Sequence, residues 1–135
     1  MIMEATLIPE KSIGKFVIGD PIDRFLSDDY DFYPKIDEDT SDMYVFYHPT
    51  LNVYCDDRRL IISISCSELC VWKGKNLLGM RYLEFVDLVG SQADEFEKIY
   101  MIVEGKGQNQ MVYDFDAMRL QVWTWRQKIV TVILY

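Results

Sequence analysis

The chain matches itself at a spacing of 60 positions, and this constrains its fold more than any other feature, because a repeated segment implies a repeated structure. Gly14 lines up with Gly74, Lys15 with Lys75, Gly19 with Gly79 and Phe25 with Phe85. Farther along, Asp56, Arg59 and Leu60 meet Asp116, Arg119 and Leu120, and a one-residue slip brings Val53-Tyr54 onto Val112-Tyr113. Each half then reads as a glycine-flanked strand, a short helix and an antiparallel meander, with repeat limits at residues 12–68 and 72–135. The 135-residue length suits a single domain, residues 1–135, and leaves no room for a second core. Half of the residues are hydrophobic, enough to fill that one core.

Local patterns predict the elements. Residues 13–18 form a short apolar strand, after which Asp20 and Pro21 offer an N-cap and a proline at the first helical position. Ile22, Phe25 and Leu26 share one helical face, which predicts a helix over residues 20–27. Tyr30 and Phe32, the dense run 44–47, and the alternating sets Leu51, Val53, Cys55 and Leu60, Ile62, Ile64 read as strands, the last two joined at an Asp56-Asp57-Arg58 turn. In the second half, Tyr82, Phe85, Val86 and Val89 mark a helix over residues 81–89, with Gly90 suited to its C-terminal cap. Strands at 99–103, 111–115, 120–125 and 129–134 complete the chain. The expected fold class is α+β: a mainly antiparallel sheet with two short helices on one side, arranged as pseudo-twofold helix-plus-meander units.

Fourteen Lys and Arg stand against 22 Asp and Glu, a net charge of -8, which argues against nucleic acid or an anionic membrane and for a basic protein partner. The N-terminal residues 1–9 lack a basic start, a long apolar run and a cleavage site, and no apolar run reaches the roughly 20 residues of a membrane span. Cys55, Cys66 and Cys70 are an odd count without an export signal, which fits reduced, buried thiols and a cytoplasmic protein. Cys66 and Cys70 have no second cysteine pair and His48 is the only histidine, so no zinc site is expected. Asp37, Glu38 and Asp39 are contiguous rather than spaced as a calcium loop requires. No metal or cofactor is expected.

Catalysis lacks its parts as well. His48 precedes Pro49 at a strand end, and no Gly-x-Ser-x-Gly element accompanies it, so the histidine reads as structural and the chain as a non-enzyme. The segments 14–19 and 74–79 are neither a P-loop nor a dinucleotide fingerprint and read as bends. Trp123 and Trp125 share a strand face, a pattern of core packing or of base stacking, and the acidic balance disfavours bases.

The densest chemical signal is the segment 20–42, where nine acidic residues face only Arg24 and Lys35. Within it, Asp28, Asp29, Asp31, Asp37, Glu38, Asp39 and Asp42 interleave with Tyr30 and Tyr33. Acids that steer and rigid aromatics that anchor together suit a partner-binding surface. The alternative is a solvated loop whose acids serve solubility.

The motif Pro9-Glu10-Lys11-Ser12-Ile13-Gly14-Lys15-Phe16-Val17-Ile18-Gly19, followed by a short helix and a β meander, resembles two groups. One is the set of small bacterial immunity proteins of contact-dependent growth inhibition and polymorphic toxin systems. The other is the phagosome assembly factor-like family, similar in its N-terminal stretch. The first resemblance implies a cytosolic sheet-and-helix domain that binds and neutralises a cognate basic toxin domain, a nuclease being the expected class. The second implies a scaffold or adaptor. The motif covers about a tenth of the chain, and no functional residues carry over, since immunity proteins diverge with their toxins and no motif fixes the contact residues.

Overall fold

The computed structural model describes residues 4–135; Met1, Ile2 and Met3, the start of the stretch expected not to be an export signal, lie outside the described residues. The chain opens with three two-residue strands, β1 (Leu7–Ile8), β2 (Ser12–Ile13) and β3 (Phe16–Val17), then a single 3₁₀ turn, Ile22–Phe25. Four strands come next: β4 (Tyr30–Tyr33), β5 (Asp42–Phe46), β6 (Leu51–Cys55) and β7 (Ile61–Cys66). The second half has a short hairpin, β8 (Val71–Trp72) and β9 (Lys75–Asn76), then helix α1 (Tyr82–Val89). It ends with β10 (Glu95–Val103), β11 (Lys106–Phe115), β12 (Leu120–Trp125) and β13 (Lys128–Leu134).

Half of the residues are in strands and 11% are helical, so the protein is mainly antiparallel β with one α-helix among the described residues, not the α+β fold with two helices expected. The difference between the halves comes from the residues after each apolar triplet. Beyond Leu26 the chain runs into Ser27, Asp28 and Asp29, which compete for backbone bonds and set negative charge at a helix C-terminus, so one turn forms and stops. Beyond Val86 the apolar face continues to Val89, and Gly90 closes α1 at φ 85° with its N–H on the Val86 carbonyl, 2.8 Å away. The strand expected over 13–18 is also divided, because Gly14 turns at φ 59° where an added Cβ would collide with the Glu4 carbonyl oxygen.

Eight strands form one sheet in the order β10-β11-β12-β13-β7-β6-β5-β4, every pair antiparallel. The two four-stranded meanders therefore meet at β13 and β7, where Val132 pairs with Cys66, Ile133 with Ser65 and Leu134 with Ile64. Strict alternation of buried and half-buried residues in β6 and β12 sets one face inward. That face packs against the short hairpins, the 3₁₀ turn and α1, with Phe16 against Phe46 at 4.7 Å and Phe85 against Phe115 at 5.2 Å between ring centroids. One hydrophobic cluster runs through both halves.

The same backbone connections recur in each half. Gly19 donates to Ile61, Ile61 to Asp20 and Ile22 to Arg59, while Gly79 donates to Ile129, Ile129 to Met80 and Tyr82 to Gln127. Gly19 and Gly79 lie 60 positions apart, as do Ile22 and Tyr82, but Ile61 and Ile129 lie 68 apart. The 60-residue spacing is thus kept only through the front of each half. Asp56, Arg59 and Leu60 turn the chain from β6 to β7, whereas Asp116, Arg119 and Leu120 turn it from β11 to β12, so these identities fall on turns at different places in the two meanders.

Candidate functional site

Strand β4 ends the eight-stranded sheet and is paired on one side only, through Tyr30↔Phe46, Asp31↔Val45, Phe32↔Tyr44 and Tyr33↔Met43. All four of its residues are exposed. Tyr30 and Phe32 lie on the core-facing side, backed by buried Tyr44 with ring centroids 5.6 and 4.9 Å away. Tyr33 and Asp31 lie on the opposite side, where Asp31 accepts a hydrogen bond from the Tyr47 hydroxyl. That bond is the main reason the Tyr47 hydroxyl is pushed up to about 12, since the bond is made by its protonated form.

The acids predicted from the sequence bracket this strand. Asp28 and Asp29 precede it, while Asp37, Glu38 and Asp39 sit in the loop that leads to β5, and Asp42 opens β5 itself. The four extended residues of β4 account for roughly 13 Å of chain between the two groups. The loop is internally tied: Asp39 N–H donates to Asp37 Oδ1 at 2.8 Å, and Ile36 and Asp37 N–H donate to Thr40 Oγ1 at 2.8 and 3.1 Å. Lys35 N–H donates to Asp42 Oδ1 at 2.9 Å and clips the loop's two ends together. Ile36, 89% exposed, stands among these acids. Asp28 pairs with Lys15, and Lys35 Nζ reaches Asp57 at 2.9 Å, but Asp29, Asp37, Glu38 and Asp39 have no ion pair among the described residues. The nine residues therefore gather along one sheet edge, with the charge left open beside exposed aromatic and aliphatic side chains.

A second surface was not legible as a site. Opposite the core-facing side, the sheet curls into a trough of about 980 Å³ lined by Tyr54, Trp123, Trp125, Met101 and Ile133, among others. Trp123 Nε1 donates to Gln121 Oε1 at 2.7 Å, and Gln121 Nε2 donates to Asp114 Oδ1 at 3.0 Å, which fixes the indole in place. Trp123 and Trp125 do share a face, as their spacing predicts, but it is the trough face and both are half-buried, not core. The usable signal was Gln121, a polar residue two positions before Trp123 on the same face.

Cys55, Cys66 and Cys70 are buried free thiols. Contact with Cys70 and burial hold the Cys66 thiol well above its ordinary value. His48 occupies the β5–β6 turn at φ 65°. Among the described residues no group of three or more His, Cys, Asp and Glu is arranged to hold a metal ion, and no helix is long and apolar enough to cross a membrane.

Set beside known proteins, the chain matches no family model, no curated protein and no solved structure at a significant level.

Proposed function

We propose that this chain is a cytosolic protein-binding domain that captures a basic partner along its β4 edge, and that the partner is a nuclease toxin domain which it neutralises as an immunity protein. The observation that carries the reading is the open sheet edge of exposed aromatics, bracketed by acids of which Asp29, Asp37, Glu38 and Asp39 have no ion pair among the described residues. A nuclease cleft must be positive to attract phosphate, so carboxylates presented on a pre-tied loop can steer into it and occupy the substrate's place. Phe32, Tyr33 and Ile36 supply area that a partner can desolvate, and the internal bonds of the loop lower the entropy lost on binding.

Steering and anchoring separate experimentally. Replacing Asp37, Glu38 and Asp39 with Asn, Gln and Asn slows association with a basic nuclease domain and flattens its salt dependence, because exposed charges act over a screening length of roughly 8–10 Å. Tyr33→Ala instead speeds dissociation, at a cost of about 2 kcal/mol if the ring is an interface anchor. Stopped-flow traces at two salt concentrations read both. Wild-type rates for both variants against the authentic partner would remove the edge as the interface.

A further inference from the structure

Between α1 and strands β10–β12 lies a cavity of about 530 Å³, within the size range of small-ligand pockets. Its wall carries unusual charge for a protein of net charge -8. Arg81 and Arg126 line it, no acidic side chain does, and neither arginine has an ion-pair partner among the described residues. Arg126 stands at the rim where the cavity meets the trough and lines both, its guanidinium 4.4 Å from the centroid of the trough-face Trp125 ring. It and Gln127 form the two-residue β12–β13 turn with φ of 51° and 69°. Both positions favour Asn or Gly, so an Arg-Gln pair accepts backbone strain, and both side chains line the cavity.

Two further features are independent of that charge. Tyr82 lines the cavity, is 8% exposed, and carries the one buried side-chain polar atom without a hydrogen-bond partner among the described residues, its hydroxyl. Burial, reinforced by neighbouring Tyr113 and opposed by the Ala93 backbone, pushes that hydroxyl up to about 12, so it stays a neutral donor. Arg81 is the N-cap of α1 and makes no side-chain capping bond, since a guanidinium has no acceptor; of the first-turn amides, Tyr82 N–H is taken by the Gln127 carbonyl at 2.8 Å. The remaining wall is flat and apolar: the Tyr82 and Tyr113 rings stack at 3.8 Å, and Phe96 lies 6.1 Å from Tyr113.

From this geometry we infer that the cavity binds a small aromatic carboxylate, its ring against the Tyr113 and Phe96 side and its carboxylate held by Arg81 and Arg126 at the start of α1, with the Tyr82 hydroxyl as a further donor. The site is separate from the β4 edge and does not depend on how that edge is used.

Titration of the full chain with phenylacetate, followed by amide and aromatic NMR shifts, tests the inference. Saturable shifts are expected at Leu83, Tyr113 and Gln127, with a dissociation constant of about 1 mM or tighter. Phenylacetamide, the same shape without the charge, should bind about tenfold more weakly, and Arg81→Gln and Arg126→Gln should each weaken phenylacetate about fivefold. Arg58→Gln, on the distant β6–β7 turn, is the control that should change nothing. Absence of saturable shifts at a roughly twentyfold excess over that constant, equal binding of the amide, or indifference to Arg126→Gln would each overturn the assignment.

Discussion

The first 70 residues hold 14 acidic and six basic side chains, while the remaining 65 hold eight of each, so the entire charge of -8 belongs to one half. Yet each half hangs its meander on the same backbone connections, Gly19, Asp20 and Ile22 in one and Gly79, Met80 and Tyr82 in the other. The frame is held by buried apolar residues and backbone bonds, neither of which depends on the sign of the surface. One half is thereby free to present carboxylates along an edge, the other to leave two arginines beside a cavity. What distinguishes the two regions chemically is carried by residues the frame does not need.

Matched substitutions sharpen this contrast, and the largest effect belongs to the pair Phe85 and Phe25. Phe85 is fully buried, touching Phe115 and Trp72, whereas Phe25 is only partly buried on the aborted helical turn. Phe85→Ala should cost about 3–5 kcal/mol and Phe25→Ala about half of that, read from urea denaturation. Equal losses would mean that α1 and the 3₁₀ turn contribute alike.

Gly14 and Gly74 make a second pair, both left-handed, at φ 59° and 76°. Open space surrounds Gly74, so Gly74→Ala should cost about 1 kcal/mol for the backbone conformation alone. At Gly14 the added carbon also collides with the Glu4 carbonyl, and at least about 2 kcal/mol is expected. Thermal midpoints of the two variants decide whether the collision is relieved by movement of residues 4–6.

The smallest predicted effect is one of pH. Burial, helped by Asp42 and Asp56, pushes the Cys55 thiol up to about 12 from 9.0, and burial pushes Tyr82 up to about 12 from 10.0. In each case the fold holds a proton that the unfolded chain releases first. Stability is therefore complete below pH 9 and declines as pH rises toward 12. Cys55→Ala should lessen the part of the decline that begins near pH 9, which Cys66 shares, and Tyr82→Phe the part that begins near pH 10, which Tyr47 shares. Denaturation midpoints across that range are the measurement; a flat profile in the wild type would contradict both assignments.

How far the sequence foretold this molecule depends on how local each feature is. Strands β6 and β12 were readable because their side chains alternate against one buried face. In β7 the expected set Leu60, Ile62, Ile64 does not share that face: Ile61 is buried and Ile62 exposed, because the register shifts opposite Tyr54 and Cys55. The first four residues of β10 were missed: Glu95, Glu97 and Lys98 are exposed on an edge strand, where no buried face imposes a hydrophobic pattern. The first helix was overread, since Ile22, Phe25 and Leu26 satisfy a helical template while the acids after them stop it. Likewise the nine candidate binding residues were found as a composition bias, but their alignment along an edge depends on β4 being last in the sheet order, a relation among strands far apart in the chain. The trough required even more, because Tyr54 and Trp123 come from different halves.

The seam between β7 and β13 has a consequence in time. Cys66 and Val132, paired there, are 66 positions apart, so at ribosomal speed β7 is made on the order of 3–13 s before the strand that covers its edge. During that interval the first meander is bounded by two open edges. One is β4, short and guarded by carboxylates; the other is β7, bearing Ile64 and Cys66 and guarded by nothing acidic within the strand. The nascent chain is most prone to pair with a stranger at what becomes, a few seconds later, the middle of its own sheet.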